Sequence, residues 1–225
     1  MNLHEGLRPF GVENCLIFPS IASSDHSDFR GEVQKLADYP LLHIDIEDGN
    51  FVPNITFGLK TVRAVRKLSA AAFDAHLMVT NPAEYIPALL EMDFKAIAFH
   101  WESTQYPMAL INSIRKGNAK AGIAINPRTP ASELFPYLSR IDYVLVMASE
   151  PDGCGDEFQY PTLEKIRQLR AADPTLPILV DGGISARLLP MVLEAGASHI
   201  VMGRAVFSSE DPYKTMQEFN RNVEQ

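Results

Sequence analysis

Four side chains capable of acid–base or metal chemistry sit at the ends of otherwise apolar runs. They are His43 and Asp45 in Leu41-Leu42-His43-Ile44-Asp45, His76 in Phe73-Asp74-Ala75-His76, and Asp181 in Leu179-Val180-Asp181. Side chains alternate along a strand, so His43 and Asp45 share one face. If the three runs end together on one sheet, two imidazoles and two carboxylates converge, a donor set suited to a divalent cation. Each residue taken alone reads as well as a polar strand end that caps a loop. A buried carboxylate without a partner is costly, however, and one cation satisfies several at once. Zinc suits the mixed ligands; iron, manganese and cobalt also fit by ligand type.

A second constellation is Asp181-Gly182-Gly183 with Met202-Gly203-Arg204. Both place glycine between a strand and a helix, where exposed backbone N–H groups can hold a phosphate. Either glycine alone could be turn chemistry. Arg204 adds a cation suited to an anionic group.

These residues need a scaffold that brings distant strand ends together. Short β-prone runs alternate with amphipathic segments about eight times. The expected strands are Cys15–Ser20, Leu41–Asp45, Ala72–Met78, Ala96–His100, Gly122–Ile125, Tyr143–Met147, Ile178–Asp181 and Ile200–Met202. Near-continuous apolar runs of this kind fit parallel strands buried on both faces. Between them, Leu59, Val62, Val65 and Leu68 recur at helical spacing, as do Leu163, Ile166 and Leu169, with Lys165, Arg167 and Arg170 expected outward. Asp211-Pro212 reads as an N-cap and N1 proline opening a last helix, and Asn81-Pro82 and Thr129-Pro130 look similar. Pro190 falls about one turn inside its helix and is expected to bend it.

Eight βα units without a linker predict one (β/α)8 TIM barrel over residues 1–225, an α/β fold with its active site at the C-terminal strand ends. The rival is an open doubly wound sheet, but its glycine-rich turn after an early strand is missing: the first strand runs into Pro19-Ser20-Ile21-Ala22.

The bulk properties narrow the function. Of 225 residues, 46% are hydrophobic and 21% charged, and 20 basic against 28 acidic residues give a formal charge of −8. No dense Lys/Arg run suggests nucleic acid. No apolar stretch approaches membrane-span length, and the polar start does not read as a signal peptide. Two cysteines, Cys15 and Cys154, imply no disulfide framework, and a cytoplasmic setting is expected.

Over about Phe18 to Phe207 the chain resembles the ribulose-phosphate 3-epimerase family. The resemblance rests on Pro19-Ser20-Ile21, His43-Ile44-Asp45-Ile46-Glu47-Asp48-Gly49 followed by Phe51-Val52-Pro53-Asn54, Asp74-Ala75-His76-Leu77-Met78, Val180-Asp181-Gly182-Gly183 and Gly203-Arg204-Ala205. It implies that His43, Asp45, His76 and Asp181 bind one divalent metal and that Asp45 and Asp181 are also the acid/base pair. Ser20, His76, Met78 and Met147 would face the substrate. The phosphate would rest on Gly182, Gly183, Gly203 and Arg204, under a loop that includes Gly153 and Gly155. It further implies a homo-oligomer. Epimerising a carbon beside a ketone takes a proton from one face and returns one to the other, which two opposed carboxylates do economically. A metal would stabilise the ene-diolate charge.

The expected activity is thus a 3-epimerase of a ketose phosphate, D-ribulose 5-phosphate to D-xylulose 5-phosphate first, with tetrulose and hexulose phosphates as alternatives. A lyase or decarboxylase would need a lysine at a matching strand end, and none is present. A non-catalytic sugar-phosphate-binding protein is the remaining reading. Three departures bear on substrate. Glu47 replaces a usual methionine, and could shift a neighbour's pKa, bind a substrate hydroxyl or pair with a cation. The loop after the sixth strand adds Glu150, Asp152 and Asp156. Arg204 replaces a usual serine and could offset that acidity. Together they are similar to a divergent epimerase-like branch associated with sugar uptake and catabolism. His100 and Glu102 close the fourth strand as supports for the metal site or as plain strand caps. Trp101 reads as packing, and Cys154 lacks a neighbouring histidine to activate it.

Overall fold

A computed structural model describes residues 17–151 and 157–223. Eight parallel strands form one sheet in the order β1-β8-β7-β6-β5-β4-β3-β2. They are β1 (Ile17–Pro19), β2 (Leu41–Glu47), β3 (Ala72–Met78), β4 (Ala96–His100), β5 (Lys120–Ile125), β6 (Tyr143–Met147), β7 (Ile178–Asp181) and β8 (His199–Met202). A single parallel bridge, Ser20 with His43, brings β1 to β2 and completes the ring. The arrangement is the (β/α)8 barrel.

The helices are α1 (Phe29–Lys35), α2 (Leu59–Arg66), α3 (Ile86–Glu91), α4 (Pro107–Lys116), α5 (Thr162–Ala172), α6 (Leu189–Glu194), α7 (Arg204–Phe207) and α8 (Pro212–Val223), with a 3-10 helix over Ala131–Arg140 between β5 and β6. Asp211 caps α8 by accepting a hydrogen bond from the Lys214 N–H at 3.0 Å. The apolar strand faces and the inner helix stripes merge into one continuous core, with Phe18, Phe73, Phe99 and Tyr143 fully buried. Each such aliphatic or aromatic side chain contributes about 1.5–3 kcal/mol.

Several expectations need correction. β2 extends two residues past Asp45, because its residue-for-residue pairing with β3 continues to Glu47 opposite Met78. Cys15 lies outside the described residues. Pro190 does not bend its helix: α6 begins at Leu189, so the proline sits in the first turn, where its missing N–H is not needed. Thr129-Pro130 opens a 3-10 rather than an α-helix, and Pro136 inside it cannot supply an α-type hydrogen bond. Lys165 and Arg170 do not simply point outward: the first is buried and the second half-buried. Lys165 is buried and donates to the carbonyls of Asn126 at 2.7 Å and Pro127 at 2.9 Å. Arg170 ties the carbonyls of Gly196 and Leu176. Their long stems cross apolar surface to reach carbonyls that no strand satisfies. Among the described residues, no helix is long and apolar enough to cross a membrane.

Candidate active site

Strands β2, β3 and β7 deliver the four ligand candidates to one end of the barrel. His43, Asp45, His76 and Asp181 each offer a ligand atom, and these atoms lie within 4.8 Å of one another. Parallel register sets this up: His43 stands opposite Asp74, Asp45 opposite His76, and Met147 opposite Asp181.

Asp45 is the hub. Its Oδ1 lies 3.2 Å from His43 Nε2 and 2.9 Å from His76 Nδ1, and its Oδ2 accepts the Ser20 hydroxyl. Asp181 Oδ2 lies 3.5 Å from His76 Nδ1. Both histidines are fixed from behind. His43 Nδ1 donates to Asp74 Oδ2 at 2.7 Å, and Asp74 Oδ1 accepts the Tyr143 hydroxyl at 3.0 Å. That pairing leaves His43 Nε2 as the atom facing the centre. On the other side His76 Nε2 meets His100 Nε2 at 2.8 Å, the rings stack at 5.0 Å, and His100 Nδ1 meets Glu102 at 3.2 Å. The network is satisfied when His76 donates to His100 and His100 donates to Glu102, which frees His76 Nδ1. Glu102 also accepts the Asn126 N–H at 2.9 Å and the Thr129 hydroxyl, so this support is bound to the loop after β5.

Electrostatics separates the two carboxylates. Burial alone would push Asp45 up, but the His43 and His76 rings overcome it and hold the carboxyl well below the usual range. Asp181 is pushed up by burial and by the Asp45 charge. Burial opposes charge on His76, yet Asp181 and Asp45 raise it to about 9, and Asp45 and Asp74 raise His43 in the same way. Burial lowers His100 to about 4, consistent with a neutral ring accepting from His76. Glu47 is raised to about 7 by burial and by the Asp45 charge.

These residues fit a divalent cation. The facing atoms all lie within 4.8 Å of one another, a span that one cation could bridge. Both imidazole nitrogens that face the centre have their opposite nitrogens committed elsewhere. Two carboxylates and two neutral imidazoles are an ordinary zinc-type set.

A cavity of about 510 Å³ opens over this cluster. Its wall includes Ser20, Asp45, Met78, Met147, Asp181, Gly182, Gly183, Gly203 and Arg204, so these sequence candidates are brought together. His43 and His76 are fully buried behind the carboxylates and do not form the wall. Gly153, Gly155, Asp152, Cys154 and Asp156 lie outside the described residues. Glu150 is within reach of Arg128 at 3.5 Å rather than of Arg204. Trp101 packs on Tyr137.

Gly182 must be glycine on two counts. Its φ is +103°, and a Cβ there would stand 2.3 Å from Ser149 Oγ. Gly182→Ala should therefore lower stability by roughly 1–3 kcal/mol and loosen the adjoining loop. Urea unfolding measures the loss; an unchanged midpoint would show that this turn is not held as described.

Sequence reasoning missed Asp74, Tyr143, Asn54, Thr56 and Ser149 as parts of the site. Asp74 had a signal: it precedes His76 by two, so both share a strand face.

Fold and site together define a (β/α)8 barrel with a His/Asp candidate metal centre and paired carboxylates at its C-terminal mouth. The model of the ribulose-phosphate 3-epimerase family matches residues 16–207. The cytoplasmic isoform of ribulose-phosphate 3-epimerase from Oryza sativa subsp. japonica is 37% identical over 216 residues, covering 92% of this chain and 94% of the relative. The ribulose-phosphate 3-epimerase of Bacillus subtilis (strain 168) is 35% identical over 209 residues, covering 90% and 96%. The chain belongs to the ribulose-phosphate 3-epimerase family and is an enzyme of the isomerase class. Among solved structures, orotidine 5'-phosphate decarboxylase from Pyrococcus horikoshii OT3 superposes with a TM-score of 0.65 at 12% identity, covering 93% of this chain and 99% of that one. Thiamine phosphate pyrophosphorylase from Pyrococcus furiosus gives 0.63 at 16%, covering 94% and 96%. At these identities the likeness is one of fold.

Proposed function

We propose that the protein is a divalent-metal-dependent 3-epimerase of a ketose phosphate, with D-ribulose 5-phosphate to D-xylulose 5-phosphate as its leading reaction. The observation that carries this reading is the pair Asp45 and Asp181. They come from strands separated in the ring by β1 and β8, belong to one cluster, and both line the cavity. Two carboxylates that reach one cavity from different strands are what removing a proton from one face and returning one to the other requires.

In this reading one carboxylate removes the C3 proton and the other returns a proton to the opposite face. The Ser20 hydroxyl, donating to Asp45 Oδ2, fixes the direction of that carboxylate. Asp181 is the second proton carrier. Met78 and Met147 present apolar surface to the reacting carbons and keep water from them. His43, Asp45, His76 and Asp181 would hold the cation, zinc first and iron, manganese or cobalt as alternatives, and it would supply Lewis-acid stabilisation of the oxygen charge that develops. Gly182, Gly183, Gly203 and Arg204, with Gly153 and Gly155 of the loop, would take the phosphate. A cytoplasmic homo-oligomer belongs to the same reading.

The acidic wall supports keeping other ketose phosphates as substrates. Asp45, Glu47, Glu150, Glu157 and Asp181 line the cavity, with Arg204 as the lining guanidinium. A lyase reading gains nothing from Lys165, which reaches the end of β5 but is spent on two carbonyls.

The test is solvent deuterium uptake across ketose 4-, 5- and 6-phosphates with metal-loaded protein, read by NMR. Incorporation at C3 of the 5-phosphate is expected, with any preferred chain length showing the highest kcat/KM. Absence of C3 exchange in every member of the series would refute the epimerase reading.

A further inference from the structure

Glu47 is a buried carboxylate on the wall of the cavity whose role the proton transfer does not explain. It shares the inward face of β2 with His43 and Asp45, one step nearer the mouth, and is 8% exposed. Its position is set by the loop that follows. Gly49, at φ +74°, turns the chain, and its N–H donates to the Asn54 carbonyl at 2.9 Å. Asp48 bridges Ile55 across this turn. Thr56 then accepts the Glu47 N–H at 3.1 Å and donates to the Asp45 carbonyl at 2.6 Å. The folded-back loop aims Asn54 Nδ2 at Glu47 Oε2, 2.6 Å away.

Glu47 Oε1 has no hydrogen-bond partner among the described residues, and no cation pairs with the carboxylate there. What remains is a pre-aimed acceptor on a cavity wall beside the thioether of Met78, its register partner on β3. An acceptor of this kind recognises a hydroxyl.

The arrangement of strands says which hydroxyl. The glycine cradle follows β7 and β8, and β1 stands between β8 and β2 in the ring. With phosphate on the cradle and the reacting carbon at the Asp45–Asp181 pair, the unphosphorylated end of the sugar extends toward β2 and β3. We infer that Glu47, held by Asn54, is a specificity residue that accepts a hydrogen bond from the C1 hydroxyl of a 2-ketose phosphate. This inference deepens the epimerase reading and rests on it. The chemical class selected is a 1-hydroxy-2-ketose phosphate over its 1-deoxy counterpart.

The test compares D-xylulose 5-phosphate with 1-deoxy-D-xylulose 5-phosphate, following C3 deuterium exchange by NMR in the metal-loaded wild type, Glu47→Leu and Glu47→Gln. The wild type should favour the hydroxylated sugar by about 10- to 100-fold in kcat/KM, the range expected when one buried hydrogen-bonding group is left unpaired. Glu47→Leu should bring that ratio close to unity, mainly by slowing the hydroxylated sugar, with metal content unchanged. Glu47→Gln keeps an acceptor oxygen and should retain an intermediate ratio. Equal loss on both sugars in Glu47→Leu and Glu47→Gln would make Glu47 a support for Asp45 and overturn the assignment. A wild-type ratio near one would overturn it as well, while exchange on both sugars would leave the epimerase reading standing. No exchange on either sugar in the wild type would remove both.

Discussion

Asp181→Asn should reduce C3 proton exchange by about 10⁴ or more, with the barrel intact. The upper end of the range for one acid–base group is expected because the side chain also belongs to the ligand cluster. Asn keeps the size and the hydrogen-bonding oxygen near His76, so folding has little to lose. Its amide can neither carry the proton nor supply the charge that raises His76 to about 9. Circular dichroism and unfolding midpoint check the fold; deuterium uptake checks the chemistry; metal content separates the two roles of the residue. Retained exchange in a folded variant would exclude Asp181 from the proton transfer.

Removing the metal should abolish exchange, and rebinding should be strongly pH-dependent. In the cation-free protein His43 and His76 keep their protons at neutral pH, His76 up to about 9. A cation needs both rings neutral at the facing nitrogens, so binding must expel protons. Apparent affinity therefore rises with pH, by about tenfold per pH unit for each proton displaced. For His76 the rise continues up to about 9 and flattens above it. Calorimetry at pH 7 in buffers of different ionisation heat should show net proton release, with restoration of exchange on adding zinc, manganese, iron or cobalt. Binding with no proton release would mean that the cation sits somewhere other than between these rings.

The parts of the site legible in the sequence were those that depend on strand alternation. His43 and Asp45 share a face, each apolar run ends in a polar side chain, and the eightfold βα rhythm puts those ends together. The cluster of His43, Asp45, His76 and Asp181 follows from that alone. What was not legible depends on contacts between distant strands or on loop geometry. Tyr143 reaches Asp74 from 69 residues away, and no local pattern encodes that. Asn54 and Thr56 act on β2 only because the chain doubles back at Gly49. Lys165 and Arg170 looked like an outward face because helical periodicity ranks charge as solvent-seeking, whereas carbonyls at neighbouring strand and helix ends drew both inward. Pro190 was misjudged by the position of a helix start, which periodicity places only to within a turn.

Tyr143 reaches Asp74 only because the neighbouring strand leaves room for its ring. Gly122 is its register partner, and a Cβ there would lie 2.4 Å from the ring. The vacancy at Gly122 seats the phenol, the phenol steadies Asp74, and Asp74 sets the tautomer of His43. The barrel's packed floor and its reactive mouth are thus one mechanical object: an atom's worth of emptiness in β5 governs which nitrogen of His43 on β2 faces the carboxylates.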